Sequence, residues 1–133
     1  MSEEKKIKVV LLEPGKLART AEIGTSIEDL QNAVDGLIEP FYPFEEQVCI
    51  VCNDEGKING MLPNRSVKNK DGVMVDFIFG PAFICDCRGE SFDSLSDEQI
   101  ARYTKMFRYP EHLAKLNGQL IGIPFNPQRE HER

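Results

Sequence analysis

The chain has 133 residues, a length at which one domain can bury an apolar core without disulfides or metal ions. Hydrophobic residues make up 41% of it and charged residues 29%, a balance that excludes an intrinsically disordered protein. The net charge of −6 argues against nucleic-acid binding, because an acidic surface repels phosphates. No apolar run approaches the roughly 20 residues that cross a bilayer, so we expect no membrane partner.

Two strands, a helix and a third strand are predicted in the first half of the chain. Residues 7–12 are rich in β-branched side chains and end at a Pro-Gly turn, and residues 17–23 alternate loosely, which predicts a β-hairpin. Ser26 is a suitable helix N-cap, and the apolar residues after it recur with a helical period. Gly36 is predicted to end this helix in the left-handed conformation. Residues 47–53 then predict a strand.

Strand signals dominate the next part of the sequence. Residues 58–62 predict a short return strand, and residues 67–72 predict a mobile connection. Residues 73–79 and 82–87 have the composition of two strands, and the Gly-Pro pair between them indicates a bend or a bulge.

The C-terminal part is predicted to be helical. Ser96 and Gln99 have the spacing of a capping box, which predicts a helix that stops before Pro110. Pro110 suits the first turn of a further short helix, which the Asn-Gly pair after it would end. The polar tail, about residues 126–133, is expected to fray. This order of elements indicates a single α+β domain over residues 1–133, with a largely antiparallel sheet and two main helices on one face.

Four cysteines could in principle supply thiolates to one zinc ion, namely Cys49, Cys52, Cys85 and Cys87. Cys49 and Cys52 are three residues apart in a predicted strand, so they point to opposite faces and a shared zinc site is disfavoured. The charged start of the chain is unlike a signal peptide, so we expect a cytoplasmic protein and no disulfide framework. We predict buried free thiols and no cofactor or metal.

Phe41, Tyr42 and Phe44 lie beside two prolines in a segment that is predicted to be an edge strand or a loop. If their rings are exposed, they offer a docking surface to a partner protein; the alternative is that the rings pack into the core. The two histidines, His112 and His131, are predicted to lie on the surface. The glycines form neither a phosphate-binding nor a dinucleotide-binding motif, which disfavours nucleotide enzymes of those two classes.

Three stretches resemble a family of small uncharacterised proteins, the domain of unknown function 3846. Residues 26–39 resemble its L-Q-x-x-V-x-G-x-I-E element. Residues 53–57 and 62–65 are similar to its N-E-x-G-K and L-P-x-N elements, with Asp54 inserted, and residues 80–84 are similar to its G-x-x-F-I strand. The resemblance covers about the first two-thirds of the chain.

This resemblance implies a bacterial protein of conjugative elements, plasmids or phages, for which no activity is established. Most residues of the matching stretches are ones that cap helices or shape turns. Glu39, Asn64 and Arg65 are the members of these stretches whose side chains could take part in chemistry, although a structural role is favoured for each of them.

Three functions are compatible with these observations. The one we expect is a non-enzymatic accessory protein of a bacterial mobile element or phage that acts through contacts with a partner protein. The second is a small-molecule- or nucleotide-handling enzyme, in which Glu39, Asn64 and Arg65 converge in one pocket. The third is an acidic DNA mimic that blocks restriction enzymes, although 16 basic residues against 22 acidic ones would dilute its rows of carboxylates.

Overall fold

The computed structural model describes residues 5–130, and this part of the chain forms nine strands and three helices. The strands are β1 (Lys6–Leu12), β2 (Arg19–Gly24), β3 (Ile38–Phe41), β4 (Val48–Asn53), β5 (Pro63–Lys68), β6 (Met74–Phe79), β7 (Ala82–Asp86), β8 (Glu111–Leu116) and β9 (Gln119–Pro124). The helices are α1 (Ile27–Val34), α2 (Asp97–Met106) and α3 (Pro127–Glu130). Within residues 5–130, no helix is long and apolar enough to cross a membrane.

Five antiparallel strands form the central sheet in the order β2-β1-β7-β4-β3. The predicted N-terminal hairpin is confirmed as β1 and β2. The strands predicted at residues 47–53 and 82–87 are β4 and β7, which are inner strands of the sheet. The proline-containing strand β3 lies at the sheet edge, where a missing backbone N–H is tolerated. The α+β class and the largely antiparallel sheet are therefore confirmed.

Helices α1 and α2 cover opposite faces of this sheet, so the prediction that both lie on one face is wrong. The first face is covered by Leu30 and Val34 of α1, and the second by Tyr103 and Phe107 of α2. The buried strand residues of the first face are Ile7, Val9, Leu11, Cys49, Val51, Phe83 and Cys85, and those of the second are Val10, Leu12, Val48, Ile50, Ala82 and Ile84. Because the inner strands are apolar at successive positions, both faces of the sheet must be covered.

The caps of α1 and α2 follow from their local sequences, with one exception. The Ser26 side chain accepts a 3.1 Å hydrogen bond from the backbone N–H of Asp29, and Ser96 and Gln99 form both bonds of the predicted capping box. The left-handed residue after α1 is Asp35, with φ 61°, and not Gly36 as predicted. Aspartate tolerates this conformation, and the following residue must be glycine because a Cβ there would lie 2.5 Å from Nδ2 of Asn53.

Two predictions between β4 and β6 are wrong. Residues 58–60 lie in turns and residues 61–62 are irregular, so no return strand forms there and β5 begins only at Pro63. Val67 and Lys68 belong to β5, so the connection to β6 is a short turn around Gly72, whose φ is 80°. The strand predicted at residues 73–79 is confirmed as β6.

The helix predicted after Pro110 is wrong, because Glu111–Leu116 is the strand β8 and pairs with β9 in a hairpin. Its two-residue turn is Asn117-Gly118, with φ 52° and 83° at the two positions. An Asn-Gly pair between two apolar segments is a strong hairpin signal, and it outweighs the N-terminal helix preference of proline. Within the tail, α3 replaces the expected fraying at Pro127–Glu130, and residues 131–133 lie outside the described residues.

The β5–β6 ribbon and the β8–β9 hairpin complete the layer that lies over the second face of the sheet. Val67 of β5 and Ile78 of β6 are buried in the same apolar cluster as α2, and β8 packs against β5. The ribbon, the hairpin and α2 therefore meet above one face of the sheet, and they leave a cleft between them.

Candidate binding cleft

A cleft of about 640 Å³ opens between the loop after β3, helix α2 and the β5–β6 turn. Its floor is made by Phe44 from the loop and by Tyr103, Met106 and Phe107 from α2. The three α2 residues fall at positions i, i+3 and i+4, so the helix presents them on one side. This volume is within the range of natural ligand pockets, about 300–1,000 Å³.

The floor of the cleft is aromatic and partly open to solvent. The ring centroid of Phe44 lies 4.7 Å from that of Tyr103 and 6.2 Å from that of Phe107, in tilted and edge-to-face arrangements. Such contacts fix the ring positions; Tyr103 and Phe107 are buried, and Phe44 is half-buried. The side chain of Met106 is 56% exposed.

A hydrogen-bonded carboxylate fixes the loop wall of the cleft to α2. Glu46 accepts 2.7 Å from the hydroxyl of Tyr103 and 2.8 Å from Nε2 of Gln99, and it forms an ion pair with Arg102. These interactions, the Tyr103 bond foremost, lower the pKa of Glu46, while burial and the carboxylate raise the pKa of Tyr103. Glu46 is therefore an ionised group whose charge Arg102 compensates.

Ser66 lines the opposite side of the cleft and carries a hydroxyl without a partner. Its side chain lies on β5 and is 5% exposed, and its Oγ makes no hydrogen bond within residues 5–130. Its backbone N–H donates 3.1 Å to Oε1 of Glu111, so β8 supports this wall. A buried unpaired polar group costs about 1–3 kcal/mol in the free protein.

The rim of the cleft is charged on two sides. Lys68 and Lys70 lie at the β5–β6 side, are exposed, and take part in none of the ion pairs of the described chain. Glu45 lies exposed on the opposite wall, next to the compensated Glu46. The unpaired positive charge is therefore on the β5–β6 side, although the protein as a whole is acidic.

Asn64 and Arg65 lie together at the start of β5, where both are fully buried. The Asn64 amide donates 3.0 Å to the carbonyl of Leu12 and 2.8 Å to that of Gly80. Asn64 in turn accepts 2.5 Å from the Arg65 guanidinium. The two side chains join β5 to the end of β1 and to the bend before β7.

The Arg65 guanidinium makes its remaining hydrogen bonds to backbone carbonyls. It donates 2.7 Å to Phe107, 2.6 Å to Lys16, 3.1 Å to Glu13 and 3.4 Å to Arg108. Burial lowers the pKa of Arg65 to about 10. Arg65 thus connects the β1–β2 loop to the end of α2 through hydrogen bonds, and its guanidinium N–H groups are occupied.

Glu39 lies apart from these two residues, exposed on the edge strand β3. It lines a second cleft of about 330 Å³, which also contains Cys52 and Asp76. The structure therefore brings Asn64 and Arg65 together but does not bring Glu39 to them, and neither cleft is lined by all three.

The aromatic segment combines the two alternatives that its sequence allowed. Phe41 and Phe44 pack against the apolar cluster under α2, whereas Tyr42 is 63% exposed. Phe44 also forms part of the cleft floor.

The four cysteines are free thiols; Cys49, Cys85 and Cys87 lie together on the face of the sheet under α1, and Cys52 does not join them. Cys49 and Cys85 are direct partners in the β4–β7 register with their sulfurs 3.8 Å apart, whereas Cys52 packs on the other face of the sheet. Burial and the nearby Glu39 carboxylate raise the pKa of Cys52 to about 11. Across residues 5–130, no three His, Cys, Asp or Glu side chains are grouped as a metal site.

Of the two histidines, only His112 belongs to the described residues, and it is part of no such metal-binding group. His112 is exposed, and its ring stacks on that of Phe125 at a centroid distance of 3.9 Å. His131 lies outside the described residues.

The sequence analysis missed the residues that shape the cleft, notably Ser66, Glu46, Tyr103 and Glu111. They come from four separate segments and share no motif. The one available signal was the α2 pattern, since a capped helix with apolar residues at i, i+3 and i+4 predicts a packed face but not a ligand.

Comparison with known proteins gives a family and no activity. No curated protein and no solved structure matches the chain. A family model described as a domain of unknown function, DUF3846, matches residues 7–108. The match spans β1 to α2 and ends before the β8–β9 hairpin. Since it covers well over half of the 133 residues, this chain belongs to the DUF3846 family, as the sequence resemblance predicted.

Proposed function

We propose that the chain is a non-enzymatic accessory protein of a bacterial mobile element or phage, and that it binds a partner protein by receiving a segment of it in the cleft. The observation that carries the proposal is the apolar floor of the cleft, where the half-buried Phe44 packs on the buried rings of Tyr103 and Phe107 and the side chain of Met106 is 56% exposed. Exposed apolar surface in a concave site is typical of a binding surface.

The polar groups of the cleft favour binding over catalysis. A general base works best with a pKa near the working pH, whereas the pKa of Glu46 is lowered and its oxygens are occupied. A serine nucleophile needs an adjacent base, and Ser66 Oγ has no partner in the described part of the chain. Arg65 and Asn64 are engaged with the backbone and are unavailable to a substrate.

The surroundings of the cleft favour a protein as the ligand. Met106 is exposed at the cleft, and the exposed Tyr42 precedes the two residues that begin the loop wall, Pro43 and Phe44. Aromatic residues and methionine are enriched at the centres of protein interfaces. The flexible methionine side chain also adapts to differently shaped partner residues.

The proposal is tested by photo-crosslinking with a matched control position. A benzoyl-phenylalanine replaces Met106 in one variant and Leu116 in the other, because these side chains are 56% and 58% exposed and only the first lines the cleft. We expect a covalent adduct with a second protein from position 106 and none from position 116. The adduct is identified by mass spectrometry in the cells that carry the gene.

The identified partner is then purified and its affinity is measured by calorimetry. Met106→Glu should weaken binding by about tenfold or more, because a charge is buried against the partner, whereas Leu116→Glu should leave it unchanged. Equal affinity of the two variants would overturn the proposal, and so would turnover of any substrate that depends on the cleft residues.

A further inference from the structure

We infer that the cleft selects a partner segment in which a bulky aromatic side chain is followed closely by a carboxylate, with the carboxylate directed to the β5–β6 side. This inference rests on the proposed function and adds the chemistry of the partner. It combines three observations: the aromatic floor, the unpaired lysines and the unpartnered hydroxyl of Ser66.

The aromatic part of the segment is indicated by the floor. Phe44, Tyr103 and Phe107 already contact one another in tilted and edge-to-face arrangements. Tyr103 and Phe107 are buried, so a fourth ring would extend this cluster by packing on the half-buried Phe44 and the exposed Met106, since aromatic pairs of these geometries gain more than the burial of their area alone. Met106 adds a polarizable sulfur beside the ring.

The carboxylate and its direction are indicated by charge complementarity. Lys68 and Lys70 are two unpaired cations on the β5–β6 side of the cleft, which also holds the Glu111 carboxylate bonded to the N–H of Ser66, while the opposite wall carries Glu45 and Glu46. An acidic group is therefore attracted to the β5–β6 side and repelled from the loop side. A basic residue at the same position of the segment would meet the two lysines.

Ser66 gives the site a polar contact that the free protein does not satisfy. Its hydroxyl is covered, and Glu111 occupies its backbone N–H but not its Oγ. Rotation of the side chain toward the cleft would let it bond to the backbone or the carboxylate of a bound segment. An unpaired group that costs stability in the free protein is typical of a binding site.

The test uses pentapeptide amides, acetylated at the N-terminus, as probes of the full chain by NMR chemical-shift titration. The central pair is Phe-Asp in the first peptide, and Phe-Asn, Phe-Lys and Gly-Asp in the comparison peptides. We expect shifts of the cleft amides with Phe-Asp, about fivefold weaker binding of Phe-Asn, and weaker binding still of Phe-Lys and Gly-Asp. The preference for Phe-Asp over Phe-Asn should shrink as salt is added.

Protein variants show which side chains cause the preference for Phe-Asp over Phe-Asn. The double variant Lys68→Ser and Lys70→Ser should bind Phe-Asp and Phe-Asn equally, whereas Lys115→Ser, an exposed lysine of β8 outside the cleft, should keep the preference. Ser66→Ala should raise the unfolding midpoint of the free protein and yet weaken Phe-Asp binding by about fivefold. A purely structural serine would not move the two quantities in opposite directions.

Three results would overturn the inference. If the cleft amides shift but Phe-Asp and Phe-Lys bind with equal affinity, the cleft does not select a carboxylate. The crosslinking result would then still support the proposed function. If no peptide shifts the resonances of the cleft amides, the cleft does not bind a segment with an aromatic residue and a carboxylate. Binding of 3-phenylpropionate as tightly as of the Phe-Asp peptide would make the cleft a small-molecule site. The proposed function is tested separately, by whether position 106 forms a crosslinked adduct with a second protein.

Discussion

The hydroxyl of Tyr103 donates a 2.7 Å hydrogen bond to the carboxylate of Glu46, across 57 residues of sequence. Tyr103 belongs to the helix that covers one face of the sheet, and Glu46 belongs to the loop that leaves the sheet edge. The bond therefore holds one wall of the cleft to its floor. Two predictions follow from this single contact, one for its strength and one for its pH dependence.

Replacement of Tyr103 by phenylalanine should cost about 1–2 kcal/mol of unfolding free energy. The ring remains to pack against Phe44, but the carboxylate loses its shortest neutral donor, and a hydrogen bond to a charged group contributes about 1.5–3 kcal/mol before solvent screening. Urea unfolding measures the loss. Tyr109→Phe, at a half-exposed tyrosine outside the cleft, is the control and should change the unfolding free energy little. Equal effects of the two variants would mean that the Tyr103–Glu46 bond contributes nothing.

The stability that Glu46 contributes should be lost at acid pH. Its folded-state pKa is lowered from the usual 4.5, so the contribution is complete above pH 4.5 and declines as pH falls through the lower folded value. Glu46→Gln should therefore be less stable than the parent protein at pH 7, and this difference should shrink below pH 4.5. Urea unfolding between pH 7 and 3 checks it, with Glu45→Gln as the control, because that exposed carboxylate of the same loop forms no ion pair within residues 5–130. A difference that stays constant over that range contradicts the prediction.

Local signals account for the parts of the fold that the sequence predicted. Ser26 and Ser96 begin their helices because a hydroxyl at that position can bond the free amides of the first turn. The errors arose where two local signals competed, as after Pro110, where the helix preference of proline masked the hairpin preference of Asn117-Gly118. The sequence does contain a signal that both faces of the sheet are covered, since the inner strands carry apolar residues at successive positions without alternation.

The cleft could not be predicted in the same way, because its contacts are all long-range. Glu46 meets Tyr103, and Ser66 meets Glu111 at a separation of 45 residues, so neither pair leaves a periodic or spaced pattern. For Arg65 the sequence favours a structural role but does not indicate which groups the side chain contacts. Its function as a bridge between carbonyls depends on elements 42 to 52 residues away in the sequence.

Arg65→Lys should be strongly destabilising, by at least about 3 kcal/mol. A lysine cannot reproduce the planar fork that reaches the carbonyls of Phe107, Lys16 and Glu13, so several buried acceptors would lose their partners. Urea unfolding gives the value, and hydrogen exchange shows whether the β1–β2 loop loses protection first. Arg108→Lys, at an exposed arginine of the same region, should change stability by less than about 0.5 kcal/mol. A similar small effect at both positions would show that the Arg65 fork is dispensable.

Gly122 determines where the Glu111 side chain can lie, although it belongs to the hairpin that follows the family match. A Cβ at this position would collide with Oε1 of Glu111, the atom that accepts from the N–H of Ser66, and would approach Cε2 of Phe77 to 3.1 Å. The glycine is thus needed for close approach between β9 and β8, and the wall of the cleft depends on it indirectly.

Gly122→Ala should therefore displace Glu111 and lower stability by about 1–2 kcal/mol, because the N–H of Ser66 is left without its acceptor in a part-buried site. The amide resonance of Ser66 should shift and its hydrogen exchange should accelerate, which distinguishes this loss from general unfolding. Gly89→Ala is the matched control, since an added Cβ there meets no atom within 4 Å, and it should be neutral. If Gly122→Ala left the Ser66 amide unchanged, the hairpin would not support the cleft. The loss of stability would then reflect only the clash with Phe77.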